Sequence, residues 1–306
     1  MMEEKIIIGE NTKYPLNGIL TLPSDITTPV PAVVFVHGSG PSNMDERVGK
    51  ITPFKDLAEG LAKFGIASIR YDKRTFTHGL KLLKEKNVTV KMETIEDAIL
   101  ATELLKKDTR IDKDNIFIIG HSMGAMLAPR IDAEGGDYKG LILMAGSPRK
   151  LEEIMLAQYE DVIQSTKGFV RWIVKKQAGK MTKMFETLYQ LTDEEAKKKN
   201  IGNGITLYYF KEMGEHAATN YLQDNQKPIL IMQGEKDFQA TVDADFNAYK
   251  ELLSGKENVT FQLYENLNHA FVPSVYGDIM KAKQEYNVEQ HIGDAVISDI
   301  ANWILK

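Results

Sequence analysis

Short apolar runs alternate with amphipathic segments along most of the chain. Residues 32–36, 115–120 and 140–146 are apolar at nearly every position, which is typical of strands buried on both faces of a sheet. In the segments between such runs, apolar residues recur at helical spacing, as Phe54 and Leu57 do. Strands that alternate with helices predict an α/β fold, with a mostly parallel central sheet and helices on both faces.

The individual elements follow from these patterns and from the turn-forming residues between them. We expect strands at residues 5–10, 18–23, 32–36, 66–71, 115–120, 140–146, 227–234 and 259–264. We expect helices at residues 54–64, 95–105, 123–130, 242–253 and 288–304. The polar, basic stretch 75–91 is predicted to be a loop.

One segment interrupts the alternation of strands and helices. Residues 148–226 contain several helical patterns, no convincing strand, and many Met, Tyr and Phe residues beside Lys and Glu. We interpret this segment as a helical cap insertion over the carboxyl edge of the sheet, where open α/β sheets bind ligands. The chain then divides into a core of residues 1–147 and 227–306 and a cap of residues 148–226. We expect a minority of the cap's apolar side chains to contact substrate.

The most informative motif is Gly120-His121-Ser122-Met123-Gly124, which lies between a predicted strand and a predicted helix. This G-x-S-x-G pattern is typical of a nucleophile elbow, a sharp turn that holds the serine in a strained conformation. The backbone N–H of Met123 would lie at a helix N-terminus, where developing negative charge is favoured. A glycine-rich turn with an incidental serine is the alternative, so the rest of the chain has to supply the partners of Ser122.

A serine nucleophile needs a base and an acid that orients the base. Of six histidines, His269 alone follows the last predicted strand, at the same sheet edge as Ser122. The acid should follow a strand and lie between serine and histidine in the chain. Asp237, after the strand 227–234, is our preferred residue, and Glu235 is the alternative.

Acyl transfer also needs hydrogen-bond donors for the oxyanion. The loop His37-Gly38-Ser39-Gly40-Pro41 ends its own strand and can direct a backbone N–H towards Ser122. We assign the N–H of Ser39, with Gly38 as the second choice, and pair it with the N–H of Met123.

These motifs together resemble those of a known superfamily. The segments that carry the resemblance are 20–23 (LTLP), 36–41 (VHGSGP), 70–74 (RYDKR), 120–124 (GHSMG), 234–237 (GEKD) and 268–269 (NH). From about residue 18 onwards the chain resembles an α/β-hydrolase, similar to bacterial serine esterases and acyl hydrolases related to dienelactone hydrolase and prolyl oligopeptidase catalytic domains. The resemblance implies Ser122 as nucleophile, His269 as base, Asp237 as acid, and Ser39 with Met123 as oxyanion hole. The HGSG loop departs from the HGGG of lipase-type esterases, so their alcohol-site details do not carry over.

Some charged residues at this edge have two readings. Asp72, Lys73 and Arg74 end a predicted strand, and we expect them to fix the loop rather than to contact substrate. Asp45 and Glu46, after the oxyanion loop, are compatible with either role.

Composition excludes several classes of function. With no cysteine, the chain has neither disulfides, thiolate metal sites nor a cysteine nucleophile. A net charge of −5 does not indicate the basic surface that nucleic-acid binding requires. No apolar run is long enough to span a membrane, and no signal peptide is visible, so we expect a cytoplasmic protein without a membrane partner. No phosphate-binding loop or metal-ligand cluster has usable spacing, and we expect no metal or organic cofactor.

The sequence therefore predicts a serine hydrolase that cleaves small to medium acyl or aryl esters through an acyl-enzyme. Its partner would be a small-molecule ester, and self-association into a homo-oligomer is left open. An aminoacyl amidase, peptidase or thioesterase on the same triad is the alternative. A non-catalytic binding protein on a hydrolase fold is a further one.

Overall fold

A central β-sheet organises the protein. The structure is a computed structural model that describes residues 1–202 and 204–306, and within them eight strands form one sheet in the order β1-β2-β4-β3-β5-β6-β9-β10. The strands are β1 (Met2–Ile8), β2 (Leu16–Leu22), β3 (Val30–Val36), β4 (Ala67–Tyr71), β5 (Ile111–His121), β6 (Leu141–Met144), β9 (Ile229–Gly234) and β10 (Val259–Tyr264). β1 and β2 pair antiparallel, β2 pairs antiparallel with β4, and the remaining pairs are parallel. The predicted mostly parallel sheet is confirmed.

Helices cover both faces of the sheet. The α-helices of the described residues are α1 (Pro53–Lys63), α2 (Arg74–Leu82), α3 (Glu96–Lys107), α4 (Met123–Ile131), α5 (Leu151–Ser165), α6 (Gly168–Glu186), α7 (Asp193–Lys198), α8 (Leu207–Glu215), α9 (Ala218–Leu222), α10 (Asn247–Leu252), α11 (Ala282–Glu285) and α12 (Asp294–Ile304). One apolar core forms where α1 and α12 pack on the sheet. The other lies beneath α3 and α4 on the opposite face. Alternate side chains of the central strands enter the two cores, which explains why those strands are apolar at consecutive positions.

The segment between β6 and β9 contains α5 to α9 and a small hairpin. Its strands, β7 (Asn200–Gly202) and β8 (Ile205–Thr206), pair antiparallel, so the prediction of no strand in this segment is wrong. Strands of three and two residues are too short to produce a recognisable alternation of apolar and polar positions.

Two other element predictions also need correction. Residues 74–82 form α2, whereas the stretch 75–91 was expected to be a loop. The last helix begins at Asp294 rather than at residue 288, because Gly293 is its N-terminal capping residue. Among the described residues, no helix is both long and apolar enough to cross a membrane.

Candidate active site

Ser122 lies at the turn between β5 and α4. β5 ends at His121 and α4 begins at Met123, so a single residue makes the turn. Its backbone has φ 54° and ψ −117°, in a region that residues with a side chain rarely occupy. The N–H of Ser122 donates to the Met144 carbonyl at 2.9 Å, which ties the turn to β6. This is the geometry expected of a nucleophile elbow, where local strain is held by the surrounding sheet.

Two glycines make the turn possible. A Cβ on Gly124 would lie 2.1 Å from the Val36 carbonyl oxygen, and one on Gly120 would lie 2.3 Å from the carbonyl oxygen of Gly124. Neither position has room for a methyl group. The lack of a side chain at these two positions therefore allows the strand and the helix to approach each other this closely.

His269 and Asp237 are paired at the ends of neighbouring strands. Asp237 follows β9, His269 follows β10, and the Nδ1 of His269 donates to Oδ2 of Asp237 at 2.7 Å. Both residues are buried. With Nδ1 engaged, Nε2 is the ring nitrogen left to exchange a proton with a substrate or a hydroxyl. The alternative acid, Glu235, is exposed and lies beside Lys236 at 3.4 Å.

The backbone around Asp237 fixes its carboxylate. Oδ1 accepts hydrogen bonds from the backbone N–H groups of Gln239 at 2.7 Å and Ala240 at 3.0 Å. The side-chain amide of Gln233 donates to Oδ2 at 2.7 Å. Three donors besides His269 therefore hold the carboxylate in one orientation.

One cavity brings the predicted residues together. Ser39, Ser122, Met123 and His269 all line a cavity of about 920 Å³. The segment between β6 and β9 supplies part of the wall, mostly with apolar side chains: Leu151, Ile154, Met155, Ile201, Ile205, Tyr209 and Phe210. The residues expected to act on a substrate and those expected to bind it thus face the same space.

The oxyanion loop is held from beneath by Glu46. The N–H of Gly38, our second choice as a donor, is already engaged, since it donates to Oε1 of Glu46 at 2.9 Å. Ser39 is exposed on the cavity side of this bond. His37 anchors the start of the loop through a hydrogen bond from Nε2 to the Asn43 carbonyl at 3.0 Å. Burial lowers the pKa of His37 to about 4, so the ring is neutral at pH 7.

Glu46 also contacts the residue before the serine. Its Oε2 lies 3.0 Å from Nδ1 of His121, and Nε2 of that ring lies 2.9 Å from the backbone oxygen of His269. Both ring nitrogens face oxygen atoms, an arrangement that favours the doubly protonated, cationic form of His121. The contact with Oε2 is too oblique for a well-aligned hydrogen bond and is a buried ion pair.

The two partners of this ion pair shift each other's pKa in opposite directions. Burial alone would lower the pKa of His121, but the charge of Glu46 raises it above its ordinary value. Burial alone would raise the pKa of Glu46, but the charge of His121 lowers it below its ordinary range. Glu46 has a positive φ of 51°, a conformation that the surrounding contacts hold in place. Through this pair, the oxyanion loop is joined to the loop of His269.

A second buried ion pair lies on the other side of the oxyanion loop. Lys73 donates to the Gly38 carbonyl at 2.9 Å and lies 2.7 Å from Oε1 of Glu93. The hydroxyl of Tyr209, on α8, donates to Oε2 of Glu93 at 3.2 Å. Lys73 thus supports the loop from the core, as expected for a structural residue, and Glu93 links the core to α8.

The other charged residues expected at this edge of the sheet bind neighbouring parts of the protein. Asp72 accepts a hydrogen bond from the N–H of Met44 at 2.9 Å, and Arg74 donates through Nε to Asp97 at 3.0 Å. Asp45 accepts from Nε of Arg70 at 3.0 Å. Among the described residues, no group of three or more His, Asp and Glu side chains is arranged to hold a metal ion.

Comparison with known proteins places the chain in a family. A model of the family described as "Serine aminopeptidase, S33" matches residues 27–273. The chain belongs to this family. Its sheet, with helices on both faces, is that of an α/β-hydrolase.

Known proteins resemble this α/β-hydrolase over nearly its whole length. This chain is 35% identical over 309 residues to esterase EstD of Thermotoga maritima, with 99% of this chain and 68% of that protein covered. Est1E from Butyrivibrio proteoclasticus superposes with a TM-score of 0.59 at 14% identity and covers 99% of both chains. The Pyrococcus furiosus esterase Pf2001 gives a TM-score of 0.56 at 16% identity, over 99% of this chain and 90% of that one. At such identities these two structures show the fold.

Proposed function

We propose that this α/β-hydrolase is a serine carboxylesterase that works through an acyl-enzyme, with Ser122 as nucleophile, His269 as base and Asp237 as acid. The observation that carries the proposal is the buried Asp237–His269 pair, 2.7 Å apart, at a cavity that Ser122 also lines. The 35% identity to an esterase of Thermotoga maritima, over 99% of this chain, supports ester hydrolysis as the reaction.

In the first half-reaction, Oγ of Ser122 attacks the ester carbonyl carbon while Nε2 of His269 takes the hydroxyl proton. The carbonyl oxygen becomes an oxyanion, which the N–H groups of Ser39 and Met123 stabilise. One such donor contributes roughly 3–4 kcal/mol to barrier reduction. The tetrahedral intermediate collapses, the bond to the alcohol oxygen breaks, and His269 returns the proton to the leaving alcohol.

In the second half-reaction, water replaces the alcohol. His269 takes a proton from water, whose oxygen attacks the acyl carbon, and the resulting intermediate breaks the bond to Ser122. The proton on His269 passes to Oγ, which releases the acid and restores the enzyme. Asp237 holds the ring in the correct tautomer throughout and stabilises the imidazolium that forms twice in each cycle.

The cavity supports esters of small to medium size. A volume of about 920 Å³ is in the range of cavities that enclose small organic ligands. Its wall between β6 and β9 is largely apolar, which suits an acyl chain or an aryl group. We therefore propose residues 148–226 as a cap that carries the substrate-binding side chains.

The family description raises aminopeptidase activity as a second candidate, but the charges of the cavity disfavour it. An unpaired carboxylate would be needed to bind a free α-amino group, and the acidic residues among the described lining residues are Glu46 and Glu93. Glu46 is paired with His121 and Glu93 with Lys73. Neither charge is available without breaking a buried ion pair.

Intact mass spectrometry after incubation with a fluorophosphonate tests the nucleophile. We expect one adduct on the wild type, none on Ser122→Ala, and an unchanged adduct on Ser147→Ala, a buried serine of the same cavity. A p-nitrophenyl ester series, run beside aminoacyl p-nitroanilides, tests the reaction. An adduct on Ser122→Ala, or faster turnover of the anilides, contradicts the proposal.

A further inference from the structure

A surface of α6 combines exposed aromatic and basic side chains. Phe169, Trp172 and Ile173 are 72%, 56% and 44% exposed, although large apolar side chains are usually buried. Three lysines continue the same side of the helix at spacings of three or four residues: Lys176, Lys180 and Lys183. These six residues are called the α6 face below. The helix packs on α5 through its other side, where Ala178, Met181 and Phe185 are buried.

The exposed aromatic residues are ordered on the surface. The rings of Phe169 and Trp172 stack with centroids 5.7 Å apart and planes 17° apart. The ammonium of Lys176 lies 5.5 Å from the centroid of the Trp172 ring. The α6 face is therefore an apolar patch of about one and a half turns, with cationic side chains beside it and along the following turns.

The charge of this helix opposes that of the whole protein. Residues 167–186 contain six basic residues and one acidic residue, whereas the whole chain has a net charge of −5. In the described part of the segment between β6 and β9, the lysines in ion pairs are Lys197, Lys211 and Lys227, not those of α6. The lysines of the α6 face are thus left for a partner of negative charge.

We propose that the α6 face binds the surface of a bilayer that contains anionic phospholipids. Apolar and aromatic residues on a basic helix are the combination that places helices in the interface between headgroups and acyl chains. Trp172 and Phe169 would enter that interface, and Lys176, Lys180 and Lys183 would contact anionic headgroups. This proposal departs from our sequence-based expectation of no membrane partner, which rested on the lack of a spanning segment.

The charge pattern disfavours a second copy of the chain as the occupant. In a symmetric dimer the α6 face would pack against itself, and the three lysines of each copy would meet no acidic side chain of that face. A zwitterionic surface has no net negative charge to attract those same lysines. An anionic bilayer satisfies both the apolar and the cationic parts of the face.

The test uses the full chain and vesicles of phosphatidylcholine alone or with about one third phosphatidylglycerol. The chain has two tryptophans, so Trp303→Phe leaves Trp172 as the only emitter. We expect co-sedimentation and a blue shift of Trp172 emission with anionic vesicles, at least tenfold weaker with zwitterionic ones. Raising the salt from about 0.05 M to 0.5 M should weaken binding, because the ionic part is screened.

Matched variants separate the contribution of the α6 face to vesicle binding from the effect of the net charge of the protein. Lys176→Glu/Lys180→Glu/Lys183→Glu should lower vesicle binding at least tenfold, and so should Phe169→Ser/Trp172→Ser/Ile173→Ser in the natural Trp303 background. The control Lys63→Glu/Lys107→Glu/Lys113→Glu changes the net charge equally at exposed sites of the core and should lower binding far less. Circular dichroism checks the fold of each variant.

Four results would overturn the proposal. They are no vesicle binding by the wild type at low salt, equal binding to both vesicle types, and equal losses in the α6 and control variants. The fourth is self-association, detected by analytical ultracentrifugation, that depends on Phe169 and Trp172 and occurs without vesicle binding. Hydrolysis is not part of the readout, so these results are independent of the proposed esterase activity.

Discussion

Nδ1 of His121 lies 3.0 Å from Oε2 of Glu46, and both side chains are buried next to Ser122. Glu46 also accepts the N–H of Gly38, and His121 contacts the backbone oxygen of His269. One ion pair therefore connects three parts of the proposed site: the oxyanion loop, the nucleophile elbow and the loop of the base. We expect it to position these parts without contacting substrate.

Glu46→Gln tests this positioning role. The amide oxygen can still accept from Gly38, but the variant leaves the His121 cation without its counter-charge. We expect kcat to fall by up to about 100-fold, the effect of a small misplacement of reacting groups, with little change in KM. Steady-state kinetics on a p-nitrophenyl ester measures this, with the exposed Glu235→Gln as the unaffected control. An unchanged kcat, or a loss confined to KM, would remove Glu46 from the positioning role.

The same pair predicts a pH dependence of stability. His121 has a pKa above its ordinary value of 6.5, so its contribution is fully present below pH 6.5 and is lost as pH rises through the folded-state pKa. Glu46 has a pKa below its ordinary value of 4.5, so its contribution is lost only as pH falls through that lower value. Urea unfolding of wild type and His121→Gln should show a stability difference that shrinks on the alkaline side. A difference that grows with pH would contradict the charged state assigned to His121.

Asp237→Asn should abolish most turnover. The amide cannot hold His269 in the tautomer that accepts a proton at Nε2, and the expected loss in kcat is about 10⁴-fold. Glu235→Gln changes a carboxylate two residues away that is exposed and should leave kcat unchanged. If the two variants lost activity equally, the choice of acid would be wrong.

Gly124→Ala should destabilise the fold. Its methyl group would lie 2.1 Å from the Val36 carbonyl oxygen, a backbone atom that cannot yield, and overpacking of this kind costs about 3 kcal/mol. Gly179→Ala is the matched control, because that glycine is inside α6 and nothing lies within 4 Å of its added Cβ. The control should be neutral or stabilising, by about 0.5–1 kcal/mol. Equal midpoints of urea unfolding for both variants would refute the close approach at the elbow.

Lys73→Met should be strongly destabilising, because it leaves the buried carboxylate of Glu93 without its cation. Removing one partner of a buried pair costs about 3–5 kcal/mol. The double variant Lys73→Met/Glu93→Gln removes both charges and should recover a large part of that loss. A double-mutant cycle measured by urea unfolding gives the coupling energy. Additive effects of the two changes would mean that the pair is not coupled.

The sheet and the order of the site residues could be predicted because both depend on local patterns. β10 spans the predicted residues 259–264, and Ser122, Asp237 and His269 each follow an apolar strand. α2 was missed because Phe76 and Leu80, which repeat at helical spacing, are exposed in a polar, basic stretch. Helical spacing without burial is a weak signal.

The buried ion pairs and hydrogen bonds that hold the site residues in place could not be predicted in the same way. Glu46 meets His121, and Glu93 meets Lys73 and Tyr209, only through the tertiary fold, and no spacing in the sequence marks these pairs. The sequence is compatible with either a structural or a substrate-contacting role for Glu46. No sequence pattern indicates a role for Glu93 or for the hydroxyl of Tyr209. The engagement of the Gly38 N–H by Glu46, which favours Ser39 as the proposed oxyanion donor, also required coordinates.

The position of the segment 148–226 in the chain has a consequence for how such enzymes diversify. β6 and β9 are parallel neighbours, joined at Leu141 and Ile229, and parallel neighbours always need a long connection between them. Residues 148–226 are that connection in enlarged form, and α9 returns along α4. Because these residues form one continuous stretch, insertions or deletions within it do not require a change in the pairing of β6 with β9. With the role as a cap that we propose for this segment, evolution or a designer of chimaeras can change what the enzyme accepts while keeping the strands that carry Ser122, Asp237 and His269.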